Sequence, residues 1–96
     1  MKWCTYGAFA RPTFIGKLTK QEGNTGRIQY AEKQMYSQEY WDMTYVKVFE
    51  SLEEAIIYTL KNSDETLNNI KDSLHFKEKT DINWDNLRQR QINGKL

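Results

Sequence analysis

The sequence is poor in the residues that build metal centres and disulfide frameworks. It has one cysteine, Cys4, and one histidine, His75, in 96 residues. Structural zinc usually takes four Cys or His ligands, so a single chain does not supply a zinc site. One cysteine also excludes an internal disulfide, and small secreted domains usually carry several. We therefore expect no metal, no cofactor and a cytoplasmic location.

Long apolar runs and a strong net charge are missing as well. No apolar stretch approaches the roughly 18 residues of a membrane-spanning helix. The first residues, 1–6, lack the apolar segment of a signal peptide. The net charge is +1, with +3 on residues 1–49 and −2 on residues 50–96. This composition argues against a polyanion-binding tail and predicts one globular domain, 1–96, with no membrane partner.

Residues 1–49 have the pattern of β-strands. Four runs of strand-forming residues are separated by turn formers: 3–6, 13–20, 27–36 and 41–49. The turn at 22–26 contains two glycines, which predicts a hairpin between the second and third strands. In the last run, Val46 and Val48 share one face, whereas Tyr45, Lys47 and Phe49 share the other.

Residues 50–96 have the pattern of helices, and the first helix has the clearest start. Ser51 and Glu54 have the spacing of a capping box, in which each side chain bonds to the other's backbone N–H. An apolar stripe at helical spacing follows: Leu52, Ala55, Ile56, Thr59 and Leu60. Such a stripe predicts an amphipathic helix that covers one sheet face.

Two further helices are predicted. The second is expected to begin with Ser63 as its N-cap and to end near residues 77–79. The third is expected after a cap at 80–81, with Gly94 as its stop. The polar tail, residues 88–96, is expected to fray.

This order of elements predicts the fold class. Strands grouped before helices are typical of α+β domains. We expect an N-terminal four-stranded antiparallel, strongly curled sheet, with a small SH3-like barrel as its variant. Two or three C-terminal helices would follow. The strand half is 1–49, the helical half 50–87 and the polar tail 88–96.

No pattern in the chain indicates catalysis. Cys4 lies in a predicted strand beside Trp3, where a buried, inert thiol is the ordinary outcome. A nucleophilic pair of Cys4 and His75 would need a tertiary coincidence that no pattern indicates. Paired carboxylates stand at predicted helix starts, where capping explains them. The glycines at 23–26 precede no helix, so a phosphate loop is not indicated. We predict that the chain is not an enzyme and has no catalytic residues.

The feature that stands out is aromatic. The chain has three tryptophans, six tyrosines and four phenylalanines, and ten of these lie in residues 1–49. A four-stranded sheet covered on one face has too few core positions for all of them, so some should remain exposed. Tyr and Trp are enriched at binding hot spots. The predicted protein-binding residues are Phe14, Tyr30, Tyr36, Tyr40, Trp41 and Tyr45, centred on a polar turn at 36–42. The alternative is cross-strand pairing that merely stiffens the sheet.

Three functions follow from these observations. The leading hypothesis is a non-enzymatic protein-binding module, by analogy of size with phage and mobile-element proteins that inhibit a larger host protein. The alternative is a small nucleic-acid-binding domain with an aromatic and basic sheet face, using Lys17, Lys20, Arg27, Lys33 and Lys47. The weak charge of the strand half counts against it. The third is an assembly subunit that forms a homodimer.

Overall fold

The computed structural model describes residues 2–7, 14–30 and 38–96. Within them lie five strands, β1 (Lys2–Tyr6), β2 (Phe14–Glu22), β3 (Thr25–Tyr30), β4 (Gln38–Asp42) and β5 (Val46–Phe49), then three helices, α1 (Leu52–Asn62), α2 (Leu67–Ser73) and α3 (Trp84–Ile92). A 3-10 turn, Met43–Tyr45, joins β4 to β5, and a 3-10 helix, Lys77–Asp81, joins α2 to α3. The predicted α+β class is confirmed.

The strands form one antiparallel sheet in the order β4-β3-β2-β1-β5. β1 is flanked by β2 and β5, so that Cys4 pairs with Gly16 on one side and with Val48 on the other. β4 and β5 stand at opposite ends of this order, yet only the turn Met43–Tyr45 connects them. The sheet must therefore curl until its two ends approach each other. The result is a half-barrel, which confirms the strongly curled antiparallel sheet that the sequence predicted, with five strands in place of four.

The predicted fourth strand, 41–49, is wrong as a single element, because the chain turns at 43–45. Asp42 Oδ1 accepts hydrogen bonds from Thr44 N at 2.9 Å and from Asn24 Nδ2 at 3.1 Å. Met43 N also donates to Asn24 O at 2.9 Å. These bonds fix the turn. Because apolar residues alternate on either side of it, the sequence pattern does not show that the strand is interrupted. The predicted third strand ends, within the described residues, at Tyr30.

Both faces of the curled sheet have a buried core. Towards the helices lie Trp3, Ile15, Leu52, Ala55, Ile56, Leu67, Ile70, Leu74, Phe76 and Leu87. On the other face lie Cys4, Tyr6, Leu18 and Ile28, with Trp41, Met43, Val46 and Val48 packed against them. The sequence predicts only one covered face. The curl gives the second face a core of its own, which takes up part of the aromatic surplus.

Gly16 marks a close approach of β2 and β3 inside the second core. A Cβ at this position would lie 2.4 Å from Ile28 Cγ2 and 3.0 Å from Gln29 O. Only glycine lets β2 and β3 pack this tightly, because any side chain would push Ile28 out of the core. The register shift between Leu18 and Lys20 then bends β2 further.

α1 follows its prediction closely. Glu54 N donates to Ser51 Oγ at 3.2 Å, and Ser51 N donates to Glu54 Oε2 at 3.0 Å, so both bonds of the capping box are present. The predicted stripe is buried at Leu52, Ala55, Ile56 and Thr59, whereas Leu60 is half-buried. The helix packs its stripe against β1 and β5, as its amphipathic pattern indicated.

The predicted start of the second helix is wrong. Ser63 ends α1 instead, and its Oγ donates to Thr59 O at 2.7 Å. Thr66 is the N-cap of α2, with its Oγ1 accepting from Asn69 N at 3.1 Å. Both residues are good caps, and burial of Leu67 selects the later one. α2 also ends earlier than predicted, at Ser73.

The third helix begins later than predicted, at Trp84. Its N-cap is Asn83, whose Oδ1 accepts from Asn86 N at 3.0 Å, because residues 80–81 belong to the preceding 3-10 helix. α3 continues through the polar segment to Ile92, and Gly94, with φ of 66°, follows as the predicted stop. Among the helices of the described residues, none combines the length and apolarity needed to cross a membrane.

Candidate interaction surface

A cluster of aromatic side chains is centred on Tyr6. The ring of Tyr6 stacks on Phe14 with centroids 5.5 Å apart, and it contacts Trp41 at 5.0 Å with a tilt of 56°. Phe14 reaches Tyr6 as its cross-strand partner between β1 and β2. Trp41 comes from the far end of the sheet, so this contact depends on the curl. Tyr6 is buried, whereas Phe14 is 37% exposed.

Tyr45 ends the 3-10 turn, one residue before β5 begins. Its side chain is 58% exposed, and the next residue, Val46, is the strand partner of Tyr6. The turn is fixed by Asp42. Hydrogen bonds from the side chain and backbone of Thr44, together with one from Asn24, lower the pKa of the Asp42 carboxyl. Phe14, Trp41 and Tyr45 are called the aromatic surface below.

The structure brings together only part of the predicted binding set. The predicted turn at 36–42 is wrong for its described part, because Gln38–Asp42 forms β4 through pairing with β3. Within these strands, Tyr30 pairs with Gly16 and Tyr40 pairs with Arg27. Tyr36 lies outside the described residues. The sequence did not indicate Tyr6 as the centre of the cluster. Its position opposite Phe14 depends on the register between β1 and β2, which the sequence pattern does not determine.

Lys17, predicted to contact nucleic acid, is largely enclosed. Its side chain is 12% exposed, and Lys17 Nζ lies 2.6 Å from Glu78 Oε1. The ammonium group also lies 5.3 Å and 5.0 Å from the ring centroids of Trp3 and Phe76. Glu78 is held as a carboxylate, because the hydrogen bond from Lys17 lowers its pKa. A phosphate would have to displace this ion pair to reach Lys17.

The described contacts of Lys20 and Lys47 are with Glu22 and Tyr58 rather than with the aromatic cluster. Lys20 pairs with Glu22 at 2.8 Å, and Lys47 Nζ lies 5.2 Å from the centroid of the Tyr58 ring. Arg27 is half-buried, and Lys33 lies outside the described residues. In register, Lys17 is paired with Trp3 and Lys47 with Thr5. These pairs alternate with Tyr6, so they face the helices rather than the aromatic cluster.

Cys4 and His75 are not a catalytic pair. Cys4 is fully buried in the second core, and its Sγ donates to Gly16 O at 3.5 Å. Burial raises the pKa of this thiol to about 12, which leaves it un-ionised and inert at neutral pH. His75 is exposed on the helical side. Within the described residues, no group of three or more His, Cys, Asp or Glu side chains is placed to hold a metal ion.

Comparison with family models, with curated proteins and with solved structures finds no significant match to this chain. The proposals below therefore depend on the placement and chemistry of its own side chains.

Proposed function

We propose that the chain is a non-enzymatic protein-binding module that docks its aromatic surface on a larger protein. The observation that supports it best is Tyr45, a large aromatic side chain that is 58% exposed on a turn fixed by hydrogen bonds. A preorganised Tyr contributes a large contact area at a small cost in conformational entropy. Phe14 and Trp41 extend this contact over a buried support, Tyr6.

The effect that we propose is inhibition by occlusion. A domain of this size can cover a standard interface of roughly 800 Å² on its partner. The near-neutral net charge of +1 agrees with an interface whose centre is aromatic rather than charged. A protein partner, rather than a small substrate, therefore fits this surface best.

The test is a pull-down of tagged protein from a lysate of its host cells, with and without nuclease. We expect a stoichiometric protein partner that survives nuclease. Tyr45→Ala should weaken the complex by about 2 kcal/mol, or roughly 30-fold. Ile92→Ala is the matched control, because Ile92 is 69% exposed on α3, outside the aromatic surface.

Three outcomes would contradict the proposal: no partner, equal capture by Tyr45→Ala, or capture that disappears with nuclease. The last would favour the nucleic-acid alternative. Trp41→Ala is a poorer probe than Tyr45→Ala, because Trp41 contacts Tyr6 and packs against the second core. Its loss would lower the stability of the fold as well as the affinity for a partner.

A further inference from the structure

A groove separate from the aromatic surface lies between the end of β5 and the flank of α1. It has a volume of about 530 Å³, is open to solvent, and is lined by Phe49, Glu54, Ile57, Tyr58, Lys61 and Asn62. The rings of Phe49 and Tyr58 are in contact, with centroids 5.3 Å apart. The ammonium group of Lys47 also lies over the Tyr58 ring. Tyr58 of α1 therefore contacts both Lys47 and Phe49 of β5.

The strand beside the groove ends the sheet. In the described part of the chain, β5 pairs with β1 and with no other strand. Alternate residues of such a strand direct their N–H and C=O groups outward, where an extended peptide can pair with them. Peptides that add to a sheet edge gain affinity from the backbone and specificity from neighbouring pockets. The groove supplies such a pocket.

The available charge at this groove is positive. Lys61 lines it and Lys47 lies above Tyr58; neither makes an ion pair with another described residue. Among the described lining residues the one acid is Glu54, whose Oε2 lies 3.0 Å from Ser51 N and 3.2 Å from Ser51 Oγ at the start of α1, and the two lysines outweigh its single negative charge. An acidic segment is therefore the complementary partner.

A second copy of the chain fits this groove less well. β5 has four residues, and Lys47 lies near its centre. Pairing between two copies would bring two Lys47 side chains into one short ladder. Short edge strands with a lysine are typical of sheets that avoid pairing with themselves.

We propose that this groove binds an extended acidic segment of a partner protein, which adds to the edge of β5. Its carboxylates meet Lys47 and Lys61, and its apolar side chains enter the groove over Phe49 and Tyr58. This goes beyond the function proposed above, because it uses a different surface and does not depend on Tyr45.

The test begins with a displayed library of random dodecapeptides selected on the whole chain. We expect selected peptides in which Asp or Glu alternates with apolar residues. Selection on the double variant K47E/K61E should favour Lys and Arg instead, whereas K95E, a reversal at an exposed lysine outside the groove, should change nothing. Peptides without acidic enrichment, or the same peptides on K47E/K61E, would overturn the proposal.

Strand addition is tested with the tightest selected peptide, N-methylated at either its odd or its even positions. One set should lose at least tenfold in affinity, since only alternate N–H groups pair with β5. Equal affinities of the two sets would overturn the proposal. So would displacement of the peptide by a single-stranded oligonucleotide, or a dimer of the free chain by light scattering.

Amide chemical shifts on adding this peptide separate the two proposals. The shifts should fall on β5 and α1, and Tyr45→Ala should bind the peptide as the wild-type chain does. Shifts confined to the aromatic surface would overturn the groove proposal and leave the proposed function standing.

Discussion

Lys17 Nζ and Glu78 Oε1 lie 2.6 Å apart and join the centre of the sheet to the 3-10 helix Lys77–Asp81, 61 residues later in the chain. The rings of Trp3 and Phe76 are in contact beside this pair, with centroids 5.2 Å apart. The contact with Lys17 fixes the position of a segment that has little hydrophobic surface of its own. It links the helical half to the strand half by a charged contact at the margin of the first core.

The ion pair predicts how stability depends on pH. The pKa of Glu78 is lowered from 4.5 by the hydrogen bond from Lys17. Its stabilising contribution is therefore complete above the unfolded-state pKa and is lost as pH falls through the lower, folded-state value. We expect the free energy of unfolding to fall below about pH 5, as measured by urea titration.

Glu78→Gln should lower the stability at neutral pH by about 1 to 3 kcal/mol, because it leaves a largely buried ammonium group without its carboxylate. It should also reduce the loss of stability as the pH falls. This reduction should be partial, because the pKa of Asp42 is lowered as well and Asp42 still contributes. Glu65→Gln, at an exposed carboxylate, is the control. An unchanged slope in Glu78→Gln would show that the pair is not formed in solution.

Leu87 should anchor α3 to the domain. It is the one buried residue of this helix, and it packs into the first core. Leu87→Ala should cost about 2 to 5 kcal/mol in a denaturant titration, since it leaves a cavity. Gln89→Ala, at an exposed position on the same helix, should cost little. Equal costs for the two variants would mean that α3 does not pack as described.

Gly16→Ala should destabilise the curled sheet by about 1 to 3 kcal/mol, because the added methyl group would collide with Ile28. Shortening the Ile28 side chain should restore part of the lost stability. The double variant Gly16→Ala/Ile28→Ala should lose less stability than the sum of the losses of the two single variants. Strict additivity in thermal unfolding would rule out the collision. Gln21→Ala, exposed on the same strand, is the control.

Cys4 should resist alkylation in the folded protein. With a pKa raised to about 12, its thiolate fraction at mildly alkaline pH is on the order of one in ten thousand, and the thiol is buried. Iodoacetamide should therefore label it only after unfolding, as followed by mass spectrometry. Gln91→Cys adds an exposed thiol that should react in the folded state. Rapid labelling of Cys4 without denaturant would contradict its burial.

The parts of the fold that could be predicted depend on contacts between near neighbours. Ser51 and Glu54 begin α1 through bonds within one turn, and Gly23 closes the predicted hairpin with φ of 57°. The later helix starts were missed because Ser63 and Thr66 can cap equally well. Tertiary burial of Leu67 decides between them, and the local sequence does not report it.

The candidate site was harder to predict, because it depends on contacts between distant residues. Phe14 and Trp41 were both expected at a surface, but their shared contact with Tyr6 exists only because the sheet curls. Lys17 was expected to face solvent. The later residues Phe76 and Glu78 enclose it, and no pattern near Lys17 indicates that.

The place of β1 between β2 and β5 has a consequence during synthesis. β2 follows β1 closely in the chain, whereas the other partner, Val46–Phe49, comes much later. Closing the longer loop to β5 costs more conformational entropy than closing the loop to β2, so the pairing with β5 forms more slowly. During synthesis β1 therefore keeps one side unpaired until Val46–Phe49 has emerged, and arrival of β5 is the event that closes the half-barrel.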